Sequence, residues 1–584
     1  MKKLMLGNEA VARGAYEAKC AFVSAYPGTP STEITANAAK YDEMYSEWAP
    51  NEKNSLEAAA GASIAGARAM SAMKHVGLNV ASDALFTVSY SGINGGLVVC
   101  VADDPGMHSS QNEQDSRHYA RASKVPMLEP SSSQECKDYV KQAFEISEEF
   151  DTPVLVRLST RISHSRGIVE LCEPVEIKKR QYISDAPKYV MMPGYARPRH
   201  IVVEDRMKKL KCFAETTKLN TVEYYNKKIG FICGGTSYNY SKEAFGEDAS
   251  YLKLGLTYPL PDKLLKEFAS NVETCFCIEE LDPFVEEYCR NLGIKLIGKE
   301  RLTLIGEYTP EMIRRAVYGE PISESPYPLT EEIPGRPPVM CPGCSHRAAF
   351  TAIKQLGLNV SGDIGCYTLA ATPVLSAMHI QLCMGAAIGV AHGMEKASSY
   401  LEKPIPKTVA VIGDSTFIHM GITGLINAVY NKSNITVLIL DNFTTGMTGG
   451  QEHPGTGKTI KGEPTVKLDL PGLCRAIGVK RVTVIDPFDL DGMKKLLKEE
   501  TEADEVSVII AERACALIKG GTVNEAHKID QDICTSCMQC MKIGCPGLKQ
   551  RGTTVTIDDA LCVGCGFCIT ICKPKAIMPG GGTK

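Results

Sequence analysis

The chain of 584 residues is predicted to be a multidomain α/β protein of parallel sheets, with a small cysteine-rich α+β segment at its C-terminal end. Three observations carry that expectation. Short apolar, β-branched runs alternate with helical stretches through most of the length, the pattern of strand–helix–strand units. Seven prolines from Pro321 to Pro342 interrupt the alternation and mark an extended linker. Eight of the 23 cysteines crowd between Cys534 and Cys572.

The elements follow in order. Ala21–Ala25 reads as a strand that ends in the turn Tyr26-Pro27-Gly28-Thr29-Pro30, with helix start signals at Ser31 and Thr32. Residues 56–73 are Ala/Gly-rich and read as one helix whose small side chains permit close packing. Leu97–Ala102 and Val154–Leu158 read as buried strands. A charged, irregular connection is expected over about 173–227. A second α/β block opens at Ile229-Gly230-Phe231-Ile232-Cys233 and includes the strand Thr274–Ile278. Beyond the linker, Thr408–Asp414 and Ile435–Asn442 read as strands, with helical spacing over Phe417–Asn431 between them. Strand–helix–strand in that length makes the two strands parallel.

Composition excludes several classes. With 44% hydrophobic and 23% charged residues and a net charge of −4, no basic stripe invites nucleic acid, and no apolar run is long enough to cross a bilayer. Asn8 and Glu9 interrupt the N-terminus before a signal-peptide core can form, so a cytoplasmic location is expected. In that reducing compartment the cysteines outside the tail are expected as thiols, with Cys20, Cys100, Cys136 and Cys233 acting as small buried hydrophobes.

The tail carries chemistry. Cys534, Cys537, Cys540 and Cys545 read C-x2-C-x2-C-x4-C, and Cys562, Cys565, Cys568 and Cys572 read C-x2-C-x2-C-x3-C. Each run is followed by a proline, directly at Pro546 and one residue on at Pro574. This is the spacing of two-cluster ferredoxins, in which the fourth cysteine of each run serves the other cluster. The expected 4Fe–4S ligand sets are Cys534, Cys537, Cys540 and Cys572, and Cys562, Cys565, Cys568 and Cys545. Paired zinc ribbons or disulfides are the alternatives.

The second motif is Gly413-Asp414-Ser415 at one strand end with Asp441-Asn442 at the next. Both ends open on the same edge of a parallel sheet, where α/β folds bind ligands. Asp414, the Asn442 side-chain carbonyl and the Thr444 backbone carbonyl would offer magnesium three oxygens, and diphosphate oxygens and water would complete an octahedron. Gly413 would admit a close backbone approach, the next helix N-terminus would face the negative charge, and Gly446, Gly449 and Gly450 would add donors. Two ordinary strand-end turns are the alternative.

Gly413-Asp414-Ser415 with Asp441-Asn442 resembles the thiamine-diphosphate motif, with serine in place of its last glycine. Tyr26-Pro27-Gly28-Thr29-Pro30-Ser31-Thr32 and Glu57-Ala58-Ala59-Ala60-Gly61-Ala62 resemble the pyrimidine-domain segments of the 2-oxoacid:ferredoxin oxidoreductases. The resemblance spans the whole chain. It implies a thiamine pyrimidine-binding domain over 1–170, a transketolase C-terminal-like α/β domain with its connection over 171–325, a thiamine diphosphate and Mg2+ domain over 326–525, and a two-cluster ferredoxin domain over 526–584. It also implies Thr29 and Glu57 as catalytic residues, Glu57 protonating the aminopyrimidine, with Glu52 as the second candidate. Segment 102–117, with Ser109-Ser110-Gln111-Asn112-Glu113, is similar to the branch of the family that acts on aryl 2-oxoacids such as indolepyruvate and phenylpyruvate. The implied reaction is oxidative decarboxylation to an aryl-acetyl thioester, with coenzyme A as co-substrate and an external ferredoxin as acceptor. A smaller β subunit carrying the family's γ-type domain would complete a hetero-oligomer. Arg117 and Arg121 are candidates for the substrate carboxylate.

Cys341-Pro342-Gly343-Cys344, Cys366 and Cys515 resemble the ligands of a further 4Fe–4S cluster in related enzymes. A C-x-x-C turn alone fits zinc or a redox pair equally. Two other readings remain: the same chemistry on pyruvate or another 2-oxoacid, and an electron-transfer subunit whose α/β domains are scaffold.

Overall fold

The computed structural model describes residues 1–177, 180–319, 331, 333, 335–403, 405–518 and 524–580. They form two compact units, Met1–Thr330 and Glu331–Lys584. Most of the expected linker, 321–330 with 332 and 334, lies outside the described residues.

The first unit is built on a seven-stranded sheet in the order Leu256–Tyr258, Met127–Leu128, Val154–Ser159, Leu97–Asp103, Ala69–Lys74, Phe22–Ala25, Tyr45–Trp48. All pairs are parallel except the one made by Leu256–Tyr258. That strand comes from the second α/β block, so one sheet joins the two blocks. A second sheet places Ile229–Cys233 between Thr274–Ile278 and Ser250–Lys253, all parallel, with Thr221–Glu223 antiparallel at the edge.

Two expectations need correction here. The run 56–73 is not one helix. A helix covers Glu52–Ile64, Gly66 takes φ +106°, and Ala69–Lys74 is a strand buried on both faces in the middle of the sheet. All six of its residues are buried, so packing between neighbouring strands and covering helices overrides local helical preference. The connection at 173–227 is also not irregular. It contains the 22-residue helix Pro193–Ala214, which opens on a proline and buries Val203, Arg206, Leu210 and Ala214. The Arg206 guanidinium donates to the carbonyls of Ser89 and Asp151, so a helix that reads as charged is fastened by its charge.

The second unit holds a six-stranded, fully parallel sheet ordered Ile380–Gln381, Asn359–Gly362, Thr408–Gly413, Thr436–Asp441, Ser507–Glu512, Arg481–Ile485. Thr408–Gly413 and Thr436–Asp441 are parallel neighbours, joined by helical turns from Asp414 to Tyr430 with a π turn at Phe417–Gly421. The tail adds two short antiparallel pairs, Lys528–Ile529 with Ile577–Met578 and Leu548–Arg551 with Thr554–Ile557. Ile543, Leu548, Val555, Phe567 and Ile577 share one apolar core with Met340, Phe350 and Leu497. Among the described residues, no helix is long and apolar enough to cross a membrane.

Candidate functional site

In the second unit the carboxyl ends of the Thr408–Gly413 and Thr436–Asp441 strands bring Asp414, Asp441, Asn442 and Thr444 together, all buried. Asn442 Oδ1 lies 3.2 Å from Asp414 Oδ1 and 2.9 Å from the Thr444 carbonyl oxygen. The amide satisfies these two oxygens in one of two ways: its N–H2 turns to them and donates to both, or its oxygen faces them across a shared cation. An octahedral Mg2+ with bonds of about 2.05 Å sets neighbouring ligand oxygens about 2.9 Å apart, the spacing found here. The other end of the amide lies 3.4 Å from His346 Nε2. Burial lowers the His346 pKa to about 4 against the partial opposition of Asp414, so the ring is neutral.

Asp414 Oδ2 takes the Phe443 N–H at 3.0 Å and lies 3.2 Å from His453 Nε2. Burial works against its ionisation, yet His453, Asp441 and the Ser415 N–H hold Asp414 below the ordinary carboxylate range. Burial and the charge of Asp414 push Asp441 up to about 8, so of the two carboxylates Asp414 is the one more readily ionised. Gly413 has a reason sequence did not give: a Cβ there would lie 2.8 Å from the Tyr367 ring. Thr416 Oγ1 donates to the Ile364 carbonyl at 3.1 Å, which draws the loop bearing Cys366 to the same edge. Ser415 Oγ receives the Thr445 hydroxyl at 2.9 Å.

Cys341, Cys344, Cys366 and Cys515 converge. Burial and the neighbouring thiols of Cys344, Cys515 and Cys341 push Cys366 up to about 12. Gly446 closes beside them, since a Cβ there would meet Cys366 Sγ at 3.4 Å. In the tail, one cavity is lined by Cys534, Cys537, Cys540 and Cys572. Another is lined by Cys545, Cys562, Cys565 and Cys568, together with Gly343 and Cys344. Each cavity therefore draws its fourth cysteine from the other run. Burial, with the nearby Cys565, Cys545 and Cys562 thiols, raises Cys568 to about 12. Arg347 fastens the two regions: its guanidinium donates to the carbonyls of Met340, Cys341, Ile543 and Gly544.

In the first unit the turn after Phe22–Ala25 is fixed by Ser31, whose N–H and hydroxyl both donate to the Gly28 carbonyl at 2.8 Å. This places Thr29, followed by a cis Thr29–Pro30 bond, at the carboxyl edge of the sheet. Glu57 does not fit the role expected of it. Its side chain is 48% exposed and pairs with Lys53 at 3.0 Å one turn away, because position 57 falls on the outer face of its helix. Glu52 is 4% exposed. It stands in the first turn, which Asn51 caps by accepting the Asn54 N–H, and it fills the space where a Gly77 Cβ would lie 2.6 Å from its Oε1.

Arg117 is committed elsewhere. It is buried against Asp115 and Glu279 and donates to the carbonyls of Glu280 and Asp282. Arg121 lies over the Phe284 ring. The remaining cysteines behave as thiols: no disulfide joins any of them, and burial pushes Cys20 up to about 12. The residues that sequence reasoning missed are His346, Arg347, His453 and Lys74. His346 and Arg347 stand two and three residues after Cys344 of the C-x-x-C turn, and that proximity was their only signal.

Two family models match the chain: pyruvate flavodoxin/ferredoxin oxidoreductase, thiamine diP-binding, over 13–227, and thiamine pyrophosphate enzyme, C-terminal TPP binding domain, over 363–511. The chain is 40% identical over 618 residues to indolepyruvate oxidoreductase subunit IorA of Archaeoglobus fulgidus, covering 99% of this chain and 97% of that one. The subunit of the same name from Pyrococcus horikoshii is 41% identical over 623 residues, covering 98% and 96%. That of Methanothermobacter marburgensis is 40% identical over 611 residues, covering 99% and 97%.

Proposed function

Because this chain belongs to the family of indolepyruvate oxidoreductase subunit IorA, within the thiamine-dependent 2-oxoacid:ferredoxin oxidoreductases, we infer that it oxidatively decarboxylates aryl 2-oxoacids. An arylpyruvate anion and coenzyme A give the aryl-acetyl thioester, carbon dioxide, a proton and two electrons. The electrons pass to ferredoxin.

The observation that carries the site assignment is the meeting of the Asn442 amide, the Asp414 carboxylate and the Thr444 carbonyl at one sheet edge. These residues would hold Mg2+, and through it the diphosphate, with Gly413, Ser415 and Gly446 shaping the floor. Thiamine diphosphate supplies an electron sink for the decarboxylation. Neutral His346, in the tautomer that accepts at Nε2, would hold the Asn442 amide with its oxygen toward the metal position. We assign to Glu52, in place of Glu57, the carboxylate that hydrogen-bonds the aminopyrimidine. It is buried, held against Gly77 and fixed in a capped first turn, as a proton-relaying group must be. We assign Thr29 to the substrate side of the site, which its turn at the carboxyl edge of the sheet supports.

Three sets of four thiols fit 4Fe–4S clusters: Cys341, Cys344, Cys366 and Cys515; Cys545, Cys562, Cys565 and Cys568; and Cys534, Cys537, Cys540 and Cys572. Burial and crowding raise several of these thiols, and iron relieves that cost by binding them as thiolates. Clusters carry electrons singly, so the two electrons can leave one after the other. Gly343 (φ +75°) is so close to the second run that a Cβ would stand 3.6 Å from Cys565 Cβ, which makes the Cys545 set the next stop after the Cys341 set. A smaller β subunit completes the enzyme, and a reducing cytoplasm suits its thiolates.

The test is made anaerobically with the β subunit co-expressed. Coenzyme A-dependent reduction of a viologen is followed with indolepyruvate, phenylpyruvate, pyruvate and 2-oxoglutarate. Preference for the arylpyruvates is expected. Turnover of pyruvate or 2-oxoglutarate alone would discard the aryl assignment.

A further inference from the structure

The first unit's sheet has a topological switch point. From Phe22–Ala25 the chain moves to one side to form Tyr45–Trp48, then to the other to form Ala69–Lys74. In open parallel sheets the crevice at the carboxyl ends of such a strand pair is where ligands bind. One rim here is the Tyr26–Pro30 turn with Thr29. The other is Lys74, the last residue of its strand.

Lys74 crosses this crevice. Its stem packs on Gly28, where a Cβ would stand 3.2 Å from Lys74 Cγ, and its ammonium donates to the Ser109 carbonyl at 2.7 Å. The residue is 91% buried. An ammonium has three N–H donors, and among the described residues one of them is given to that carbonyl. Asp104 and Glu52 lie near, but neither pairs with the ammonium, and the oxygens of Asp104 receive the Ser109 N–H and the hydroxyls of Ser110 and Thr160. The other buried cations of this edge are spent on carboxylates: Arg117 on Asp115 and Glu279, and Arg157 on Asp103 and Glu129. A buried amine with donors to spare at a ligand-binding crevice is costly unless an anion arrives.

We propose that the Lys74 ammonium binds the carboxylate of the 2-oxoacid substrate, supplying the countercharge that Arg117 cannot. This rests on the 2-oxoacid reading of the preceding subsection. Lys74 is thereby a substrate-binding residue that distinguishes an acid from a neutral ketone. An ammonium that holds the carboxylate in the bound acid stabilises that ground state at least as well as the state in which the charge leaves as carbon dioxide. Its removal should therefore appear in KM more than in kcat.

The experiment uses the assembled, cofactor-loaded complex as wild type, K74M and K74R. Calorimetry measures the Kd of 3-phenyllactate and of its uncharged amide, 3-phenyllactamide, and steady-state assays give KM and kcat for phenylpyruvate. In wild type the acid should bind more tightly than the amide. In K74M the acid should weaken on the order of 10- to 100-fold, as for loss of one charge-assisted hydrogen bond, with amide affinity unchanged and KM rising in step. K74R should keep most of the discrimination. A wild type that does not distinguish acid from amide, or a K74M that weakens both alike or neither, overturns the proposal. A wild type that turns over no 2-oxoacid overturns the reaction assignment itself, whichever way the two analogues bind.

Discussion

Replacing Lys74 by methionine should make the first unit more stable. Burial, opposed in part by Asp104 and Glu52, lowers the Lys74 pKa from 10.5 to about 8. At about 1.36 kcal/mol per pH unit, that fall costs the folded state about 3 kcal/mol at neutral pH. Methionine removes this cost and fills the same channel along Gly28. It forfeits the hydrogen bond to Ser109, worth about 1 kcal/mol, so the net gain is about 2 kcal/mol. For a unit of this size that is a rise of about 2–4 °C in the Tm of its transition, measured by anaerobic scanning calorimetry on the full complex. The sign follows from proton binding. With the folded pKa depressed, the unfolded chain binds more protons between pH 8 and 10.5, so wild-type stability rises across that window. The advantage of K74M is therefore full below pH 8 and fades toward pH 10.5. A K74M complex that melts below wild type at pH 7, or whose difference ignores pH, would refute this reasoning and make Lys74 a structural residue.

Other outcomes follow from the sites. Glu52→Gln should abolish carbon dioxide release with iron–sulfur absorbance intact, whereas Glu57→Gln, at an exposed ion pair worth less than about 1 kcal/mol, should keep activity within about twofold. Asp414→Ala should weaken Mg2+-dependent thiamine diphosphate binding on the order of 100-fold by calorimetry. His346→Leu, which frees the Asn442 amide to turn, should weaken it about tenfold. Cys366→Ala should lower iron from about twelve to about eight per chain, measured on anaerobic protein, with the tail clusters unaffected.

Spacing made the tail legible. Cysteines two residues apart can only gather locally, and the two cavities of the tail each take their fourth cysteine from the other run. The parallel pair carrying Asp414 and Asn442 was legible too, because β-branched strands flanking a helical run leave little topological choice. What failed depended on partners distant in sequence. Ala69–Lys74 is a strand because of the neighbours on both its faces, which its alanines do not reveal. Glu52 and Glu57 share one helix, and only packing against Gly77 tells which is buried. Lys74 is unremarkable in the sequence and becomes informative once the strand order places its end opposite Thr29. Arg117 looked available because Glu279, which immobilises it, lies in another block of the chain.

The Arg347 clamp and the shared apolar core have a kinetic consequence. A mobile carrier would have to find the thiamine site by collision, and its first electron transfer would slow on dilution. Here the Cys341, Cys344, Cys366 and Cys515 set that we assign to the first cluster belongs to the same folded unit as the proposed diphosphate site, so its effective concentration would be fixed by the fold. Electron departure from the thiamine site should then be first order and indifferent to dilution. Only the later hand-over to a separate ferredoxin should depend on how much of that partner is present.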